Sequence, residues 1–356
     1  MRLRPLGLLL ACAAMLSAVA LAPVAADTST TSPTSAATAP KVLCTFDSTV
    51  LPELSGMAPS IRHRGVFWVH NDSSGGPVIY AISGISCAIV ATVTLASVPG
   101  RDIEAIASGR NSDGVPVLWV GDIGDNKDSW EYVRLYELPE PTYLVDQTLD
   151  VRTWRFTYPD GPHNAEALLA DPRRPRLWVV TKGLAAGVMY ELPALPPINL
   201  GDVWREPLVL KPVGDADGLI SDGAVSSDGS RFVLRDYLNA TIYSGLPPGT
   251  KVSTVELPVE PQGEAITWTK GGRSLLTAGE KEGSLWSVPL PREAWTRVAQ
   301  KASDPDPNGA SASEGAGLSK TTLLVLLVLA GLVVVLVLRV RAARRREQLR
   351  RRRPLR

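Results

Sequence analysis

The chain has 356 residues, and its formal net charge of +1 conceals an uneven distribution of charge. Residues 339–356 hold ten arginines against one glutamate, and Arg2 and Arg4 lie near the start, so residues 27–338 carry a net charge of −10. With 45% hydrophobic and 21% charged residues, the composition excludes a disordered chain, a collagen-like chain and a polytopic membrane protein. Because the basic residues cluster at one terminus, they do not indicate a nucleic-acid-binding domain.

The N-terminal segment, residues 1–26, has the pattern of a secretory signal peptide. Arg2 and Arg4 form its basic start, an apolar stretch follows, and Val24-Ala25-Ala26 is a small-residue cleavage site. Cleavage before Cys12, as in a lipoprotein, is the alternative, but the apolar run that precedes it is too short for a signal core. We therefore expect cleavage after Ala26.

The C-terminal segment predicts a membrane anchor. Residues 321–338 are uncharged and mostly Leu and Val, which is long enough for a helix to span about 30 Å of hydrocarbon. The arginine-rich residues 339–356 follow directly, so they are expected in the cytoplasm against the inner lipid leaflet, with the bulk of the chain outside. The sequence predicts a single-pass protein of the cell membrane with a large extracellular N-terminal region. We expect no nucleic-acid partner.

Two low-complexity stretches, residues 27–40 and 302–320, are rich in Ser, Thr, Ala, Pro and Gly and are predicted to be linkers. The folded region is therefore expected at residues 41–301. Its preference for Arg over Lys suggests a bacterial source. It contains two cysteines, Cys44 and Cys87, which in an oxidising compartment are expected to form a disulfide.

A pattern that recurs five times within residues 41–301 predicts the fold. Each unit opens with a small or acidic residue, then Ala or Gly, then an aliphatic residue, and the units begin at Ser55, Glu104, Glu166, Gly223 and Glu264. An apolar strand follows, then a polar turn and a third strand with an aromatic residue. A weaker fourth strand is visible in several units, for example at residues 151–158 and 252–257. Short antiparallel strands repeated in this way are typical of a β-propeller.

The expected fold is an all-β propeller followed by one C-terminal transmembrane helix. Five repeats are visible, but dividing roughly 260 residues by a usual blade of about 43–45 residues gives six, so six blades are favoured. A β-sandwich, the alternative, would not be expected to show a fivefold motif. The tryptophans of the repeat are assigned to packing between blades: Trp68, Trp119, Trp178 and Trp286.

Propeller geometry also predicts a site. In an up-and-down meander, the start of the first strand and the end of the second lie on the same face, so their polar residues should line one rim of the central channel. The first-strand starts supply Asp102, Glu104, Glu166, Asp222 and Glu264. The second-strand ends supply His70, Asn71, Asp72, Asp122, Asp125, Asn126, Lys182, Arg235, Asp236 and Glu280. His163 is expected on the same face.

Three interpretations of this rim stay open. The first is a Ca²⁺ site, since carboxylates and amide oxygens are the ligands that Ca²⁺ prefers; the candidates are Asp102, Asp122, Asp125 and Asn126, although Asp, Asn and Gly are also turn formers. The second is hydrolysis, with Glu166, His163 and His70 as candidate acid–base groups. The third is structural, because a glutamate repeated in three blades can accept hydrogen bonds between blades. Residues expected to contact a ligand are Glu104, Glu264, Lys182, Arg235, Asp236 and Asn71.

Several phrases of the chain resemble a group of secreted bacterial propellers described as phytase-like or esterase-like, and more distantly the calcium-binding, six-bladed lactonase-like propellers. The phrases are residues 54–56, Val69-His70-Asn71-Asp72-Ser73, residues 120–126, Ala165-Glu166-Ala167, residues 180–182 and Gln262-Gly263-Glu264. The resemblance implies a Ca²⁺-bearing channel and hydrolysis of an ester or phosphoester. The chain departs from the acid-rich phytase pattern at Ser55 and Gly223, which stand where two blades would carry an acid.

The sequence therefore favours a cell-surface propeller that binds a ligand, an ion or a protein partner at its channel rim. The alternative function is a Ca²⁺-assisted esterase or phosphoesterase that acts at the same rim. The sequence names no ligand and no cofactor besides Ca²⁺.

Overall fold

The computed structural model describes residues 39–294 apart from 74, 185, 282 and 293. These residues belong to one compact unit. The signal peptide, the arginine-rich tail and the membrane helix at 321–338 lie outside the described residues and stay predictions. Within the described part of the chain, no helix is long and apolar enough to cross a membrane.

The described strands form five sheets, which we call blades 1 to 5. The chain starts with β1 (Lys41–Thr45), which later completes blade 5. Blade 1 contains β2 (Leu54–Pro59), β3 (Val66–Asn71), β4 (Val78–Ser83) and β5 (Ile89–Leu95). Blade 2 contains β6 (Ile103–Arg110), β7 (Pro116–Asp122) and β8 (Val133–Pro139), and then, after the short β9 (Gln147–Leu149), β10 (Arg152–Thr157).

Blade 3 contains β11 (Ala165–Ala170), β12 (Leu177–Thr181) and β13 (Ala186–Glu191), and then, after β14 (Val203–Val209), β15 (Lys211–Asp217). Blade 4 contains β16 (Asp222–Val225), β17 (Arg231–Arg235), β18 (Asn239–Ser244) and β19 (Thr250–Glu256). Blade 5 contains β20 (Gln262–Trp268), β21 (Ser274–Glu280), β22 (Ser284–Pro289) and the returning β1.

Each blade is an antiparallel meander, and two extra strands join in parallel. The strand β9, from the connection between β8 and β10, pairs with β5 of blade 1. The strand β14, from the connection between β13 and β15, pairs with β10 of blade 2. Both extra strands therefore cover the outer edge of the preceding blade, which leaves fewer unpaired backbone groups at the circumference.

The blades form a closed ring. The first strands of neighbouring blades contact one another in the order β2, β6, β11, β16 and β20, and β20 returns to β2. The five repeats predicted from the sequence correspond to these five blades, and the predicted fourth strands correspond to β10 and β19. The expectation of six blades is wrong for the described residues. The additional length lies in the extra strands β9 and β14 and in the connections around them.

Ring closure depends on the two ends of the folded region. The strand β1 pairs with β22 antiparallel, with Val42 opposite Trp286 and Thr45 opposite Ser284. The predicted disulfide is confirmed: Cys44 on β1 is bonded to Cys87, which lies between β4 and β5 of blade 1. The N-terminal strand is thereby hydrogen-bonded to the last blade and covalently bonded to the first.

Among the described residues the core consists of five apolar clusters, one between each pair of neighbouring blades. Trp68 lies in the cluster between blades 1 and 2, Trp119 between blades 2 and 3, and Trp178 between blades 3 and 4. These three side chains are almost completely buried, which agrees with the predicted packing role. Because neighbours cover both faces of a blade, inner strands such as β12 are buried at every position and do not alternate.

Candidate functional site

One mouth of the central channel collects carboxylate side chains from several blades. The first strands begin there, and the second strands end there, as the predicted meander requires. We call this end the acidic mouth and define it by Asp72, Asp102, Glu104, Glu166, Glu264 and Glu280. The predicted rim residues therefore include all the members of this group.

Three of these carboxylates form a tight group. Asp72 follows β3, Asp102 precedes β6 and Glu104 lies within β6, and one oxygen of each lies within 4.8 Å of the others. Glu104 is only 4% exposed, and Ser55 Oγ donates a hydrogen bond to its Oε2 at 3.2 Å. We call Asp72, Asp102 and Glu104 the carboxylate triad.

The environment of the triad disfavours negative charge. Burial, a hydrogen bond with Asp102 and the charge of Asp102 raise the pKa of Asp72 to about 7. Burial is also the main reason why the pKa of Asp102 is raised, with the charges of Asp122 and Asp125 adding to it. Burial and then the charge of Glu166 raise the pKa of Glu104 well above its usual value. A bound cation would offset this accumulation of like charges.

Gly124 leaves the space in which the triad sits. A Cβ atom at this position would lie 2.5 Å from Asp102 Oδ2 and 2.8 Å from Glu104 Cγ. Glycine is therefore required here by the close approach of the two acidic side chains to the backbone.

The triad fits a hard divalent cation. Ca²⁺ takes oxygen ligands at about 2.3–2.6 Å, so three carboxylate oxygens within 4.8 Å of one another can contact one ion. In addition, Asp72 Oδ1 is buried and has no hydrogen-bond partner among the residues that the structure describes. The residues present thus have the chemistry and the spacing of a Ca²⁺ site.

A lysine–glutamate pair lies on the blade 3 side of the acidic mouth. Lys182 Nζ is 3.1 Å from Glu166 Oε1, and Asn164 Nδ2 donates to the same oxygen at 3.0 Å. Burial, the largest single effect, lowers the pKa of Lys182, but the charge and hydrogen bond of Glu166 and the interactions with Tyr237 together outweigh it, so that pKa is raised overall. Burial raises the pKa of Glu166 against the opposing effect of Lys182. The mouth therefore contains one persistent positive charge among its carboxylates.

Blade 5 contributes two neighbouring carboxylates. Burial, followed by the charge of Glu280, raises the pKa of Glu264 to about 8. Tyr237 lies between this residue and the lysine, with its hydroxyl 3.5 Å from Glu264 Oε1 and its ring 5.4 Å from Lys182 Nζ. At neutral pH the Glu264 carboxyl is mostly protonated and can donate a hydrogen bond or a proton.

Asp122 and Asp125, which the sequence predicts as Ca²⁺ ligands, do not belong to the carboxylate triad. Asp122 accepts hydrogen bonds from the backbone of Asp102 at 3.0 Å and from the hydroxyl of Tyr136 at 2.6 Å. Asp125 accepts from two backbone amides of the turn that follows it, at Ser129 and Trp130, both at 2.6 Å. The oxygens of these two aspartates are thus occupied by donors of the chain itself.

Asn126 also belongs to this loop, and its side-chain oxygen accepts from Asn164 at 3.3 Å. Of the four residues predicted to hold Ca²⁺, Asp102 lies within the triad. Asp72 and Glu104 were expected on the rim but not as metal ligands, since their proximity depends on the contact between blades 1 and 2.

Arg235, Asp222 and Asn71 connect blades or strands. Arg235 is fully buried and donates to Ala265 O at 2.9 Å. Asp222 accepts from the Ile266 backbone at 2.7 Å. Asn71 donates to a backbone carbonyl at 2.9 Å. All three rim residues therefore have structural roles. The structural interpretation itself concerned Glu104, Glu166 and Glu264, whose described hydrogen bonds come from side chains and not from backbone amides.

The remaining predicted residues lie in separate environments. His70 is completely buried, burial lowers its pKa to about 4, and its Nδ1 is 3.1 Å from Asn71 O. His163 forms a 3.1 Å pair with Asp160. Asp236 accepts from two backbone amides of its own turn at 2.7 Å. No described contact joins either histidine to Glu166.

Comparison with known proteins does not assign a family to the chain. No protein-family model matches the chain, and no curated protein matches it. One similar solved structure is a gluconolactonase from Xanthomonas campestris, at 13% sequence identity and a TM-score of 0.38, over 67% of this chain and 72% of that one. A likeness of this size carries no argument about activity.

Proposed function

We propose that the acidic mouth binds a divalent cation, with Ca²⁺ as the first choice, through the carboxylate triad. The observation that carries this proposal is the position of three carboxylate oxygens, from Asp72, Asp102 and Glu104, within 4.8 Å of one another. The buried, unpartnered Asp72 Oδ1 and the space above Gly124 support it. Hard oxygen ligands of this kind suit Ca²⁺ better than softer metals.

We infer further that the cation and Lys182 together bind a small polar ligand outside the cell. The charge of Glu166 acts on Asp72 and on Glu104, so the lysine pair and the triad share one electrostatic environment. A bound cation and an ammonium group would both attract an anionic or hydroxyl-rich ligand. The propeller is then a cation-dependent binding domain, as the sequence favoured.

The cation is tested on the full-length protein in neutral-lipid nanodiscs. Calorimetric titration with CaCl₂ should show one binding site. The midpoint temperature of unfolding should rise when Ca²⁺ is added and fall back to its original value when a chelator removes the ion. Glu104→Gln and Asp72→Asn should each weaken Ca²⁺ binding at least tenfold. Asp217→Asn, an exposed carboxylate on β15, is the matched control and should bind normally. If wild type and Glu104→Gln respond equally to Ca²⁺, the assignment of the Ca²⁺ site to the carboxylate triad is wrong.

The behaviour without Ca²⁺ separates a lost ligand from a damaged fold. Because the buried Glu104 carboxylate faces other acidic groups, Glu104→Gln should unfold at an equal or higher temperature than wild type in chelator. A variant that is stable in chelator but does not respond to Ca²⁺ supports the proposal. A variant that is destabilised in both conditions would indicate a structural role for Glu104.

Hydrolysis of an ester or phosphoester is the second candidate function, and the specific observation behind it is that Tyr237 contacts both Lys182 and the Glu264 carboxyl, which places a cation and a proton donor on one side of the mouth. At neutral pH Glu264 can donate a proton to a leaving group, and Lys182 can hold an anionic oxygen nearby. A bound Ca²⁺ would polarise the oxygen of the scissile group. The test is turnover of p-nitrophenyl acetate and p-nitrophenyl phosphate with and without Ca²⁺, in wild type and Glu264→Gln. Turnover that is Ca²⁺-independent, or equal in both proteins, would contradict this function.

We propose, from the sequence alone, that the propeller is displayed outside the cell by the helix at 321–338 with the arginine-rich tail inside. The apolar length of that segment and the arginines after it support this topology. Protease added to intact cells should cut the chain within residues 302–320 and release a fragment that contains the propeller. Protection of that segment in intact cells, with cleavage after lysis, would reverse the orientation.

A further inference from the structure

The channel has a second opening at the end opposite the acidic mouth. A cavity of about 650 Å³ lies there, and the first strands of all five blades contribute to its lining. Its apolar wall is formed by Met57, Ile106, Leu168, Val225 and Trp268. A volume of this size is typical of a small-molecule site.

The charged residues that line this cavity are all basic. They are Arg62, Arg64, Arg110 and Lys270, and the lining contains no acidic residue in the part of the chain that the structure describes. None of the four forms an ion pair within the described residues, and Arg110 donates only to a backbone oxygen, Gly114 O, at 2.8 Å. We call these four residues the basic mouth. The two ends of one channel thus have opposite charge.

A buried carboxylate from blade 2 holds the loop that carries Arg62 and Arg64. Glu140, 1% exposed, accepts hydrogen bonds from the backbone of Ile61 at 3.2 Å and of Arg62 at 3.1 Å. It also accepts from Trp68 Nε1 at 3.0 Å and from Ser60 Oγ. The loop is therefore fixed before any ligand arrives, which lowers the entropic cost of binding.

The wall contains a polar group without a partner. Thr267, in the cavity lining, is 0% exposed, and its Oγ1 has no hydrogen-bond partner among the described residues. An unsatisfied buried hydroxyl costs about 1–3 kcal/mol. A hydrogen bond to a bound ligand would remove that cost.

We propose that the basic mouth is a second binding site, for a small amphiphilic anion with a carboxylate, sulfate or phosphate head and an apolar body. The guanidinium groups of Arg64 and Arg110 supply the donors that such heads prefer, and the apolar wall receives the body. The Thr267 hydroxyl is closed to solvent in the free protein, so its hydrogen bond to the ligand requires the wall to open at that point. This site is separate from the acidic mouth and does not depend on Ca²⁺.

The test uses three matched probes on the full-length protein in neutral-lipid nanodiscs, with empty nanodiscs subtracted: 4-biphenylcarboxylate, 4-biphenylmethanol and 4-biphenylmethylamine. Calorimetry should show the carboxylate binding at least tenfold more tightly than the alcohol, and the amine binding least. Arg64→Gln combined with Arg110→Gln should weaken carboxylate binding at least tenfold. Arg205→Gln, an exposed arginine on β14 outside the cavity, is the matched control and should bind as wild type.

Thr267→Val distinguishes a ligand contact from a purely structural residue. It removes an unpartnered hydroxyl at nearly constant volume, so the thermal stability of the free protein should be unchanged or higher. Binding of 4-biphenylcarboxylate should nevertheless weaken severalfold. Equal affinity for the three probes, or binding unaffected by the double arginine variant, would overturn the proposal; unchanged affinity in Thr267→Val would remove the threonine from the site.

Discussion

Arg235 and Glu260 form an ion pair that is closed to solvent, with 3.1 Å between Nη2 and Oε2 and side-chain exposures of 0% and 1%. Arg235 ends β17 of blade 4, and it also donates to the carbonyls of Ala265 and Ala278 in blade 5, at 2.9 Å and 3.3 Å. One guanidinium therefore connects two strands of the next blade. The seam between blades 4 and 5 depends on charge as well as on apolar packing.

Removal of this arginine should destabilise the protein strongly. Arg235→Met deletes one partner of a buried pair and leaves two buried carbonyls with fewer donors, so we expect a loss of about 3–5 kcal/mol in the free energy of unfolding. Urea unfolding followed by tryptophan fluorescence measures it.

The matched control for that experiment is a pair with the same separation on the surface. Lys251 Nζ lies 3.1 Å from Asp217 Oδ2, but the two side chains are 49% and 74% exposed. Lys251→Met should cost less than about 1 kcal/mol, since solvent screens exposed pairs. Similar losses in both variants would show that burial does not set the strength of the seam.

Removal of the disulfide should weaken ring closure. The bond between Cys44 and Cys87 spans 43 residues of sequence, so Cys44→Ala with Cys87→Ala should lower the free energy of unfolding by about 2–4 kcal/mol. Chemical unfolding with and without reductant measures this. Reduced wild type should unfold at the same denaturant concentration as the double variant. If reduction leaves the midpoint unchanged, the bond does not contribute to stability.

The space beside Gly124 is expected to be essential for cation binding. Gly124→Ala would place a Cβ 2.5 Å from Asp102 Oδ2 and displace the triad, so Ca²⁺ affinity should fall at least tenfold. Gly109→Ala, in β6, is the comparison, because its Cβ would come no closer than 3.3 Å to another side chain. Calorimetry on both proteins measures the difference, and equal Ca²⁺ affinities would contradict it.

Glu264 should make stability fall as pH rises. Its pKa is about 8 in the folded protein against 4.5 as the ordinary value, so the folded state retains a proton that the unfolded state has lost between these pH values. The free energy of unfolding should therefore decrease with pH across that range, with a slope of up to about 1.4 kcal/mol per pH unit.

Glu264→Gln should remove this contribution. The variant should have a flatter stability profile and exceed wild type in stability near pH 8, as measured by urea unfolding at several pH values between 4.5 and 8. Glu206→Gln, an exposed carboxylate on β14, should leave the profile unchanged. Parallel profiles for wild type and Glu264→Gln would show that another group is responsible.

The repeat made most of the fold predictable from sequence. Each opening residue, from Ser55 to Glu264, lies at the start of a first strand because the meander and its packing impose the same pattern on every blade. The number of blades was not predictable from length. The strands β9 and β14 join the sheets of the blades that precede them. Dividing the chain length by the usual blade length assigns these extra residues to a sixth blade.

The sequence predicts which end of the channel carries the candidate site. It does not predict which carboxylates meet there to hold the cation. The meander places Asp72 and Glu104 at one end, but only the contact between blades 1 and 2 brings their oxygens together. In contrast, Asp122 and Asp125 stand in a run that resembles a cation loop, yet their oxygens accept hydrogen bonds from nearby amides and a tyrosine. Sequence alone does not reveal which carboxylates are already satisfied.

The pairing of β1 with β22 has a consequence for folding during synthesis. The strand made first is completed by the strand made last, so the circular arrangement cannot be finished until Pro289 has been translated. Cys87, however, follows Cys44 by only 43 residues, so oxidation can fasten β1 beside blade 1 early. The strand β1 is then already positioned beside blade 1 when blade 5 forms. This lowers the entropic cost of pairing β1 with β22, the last step of ring closure.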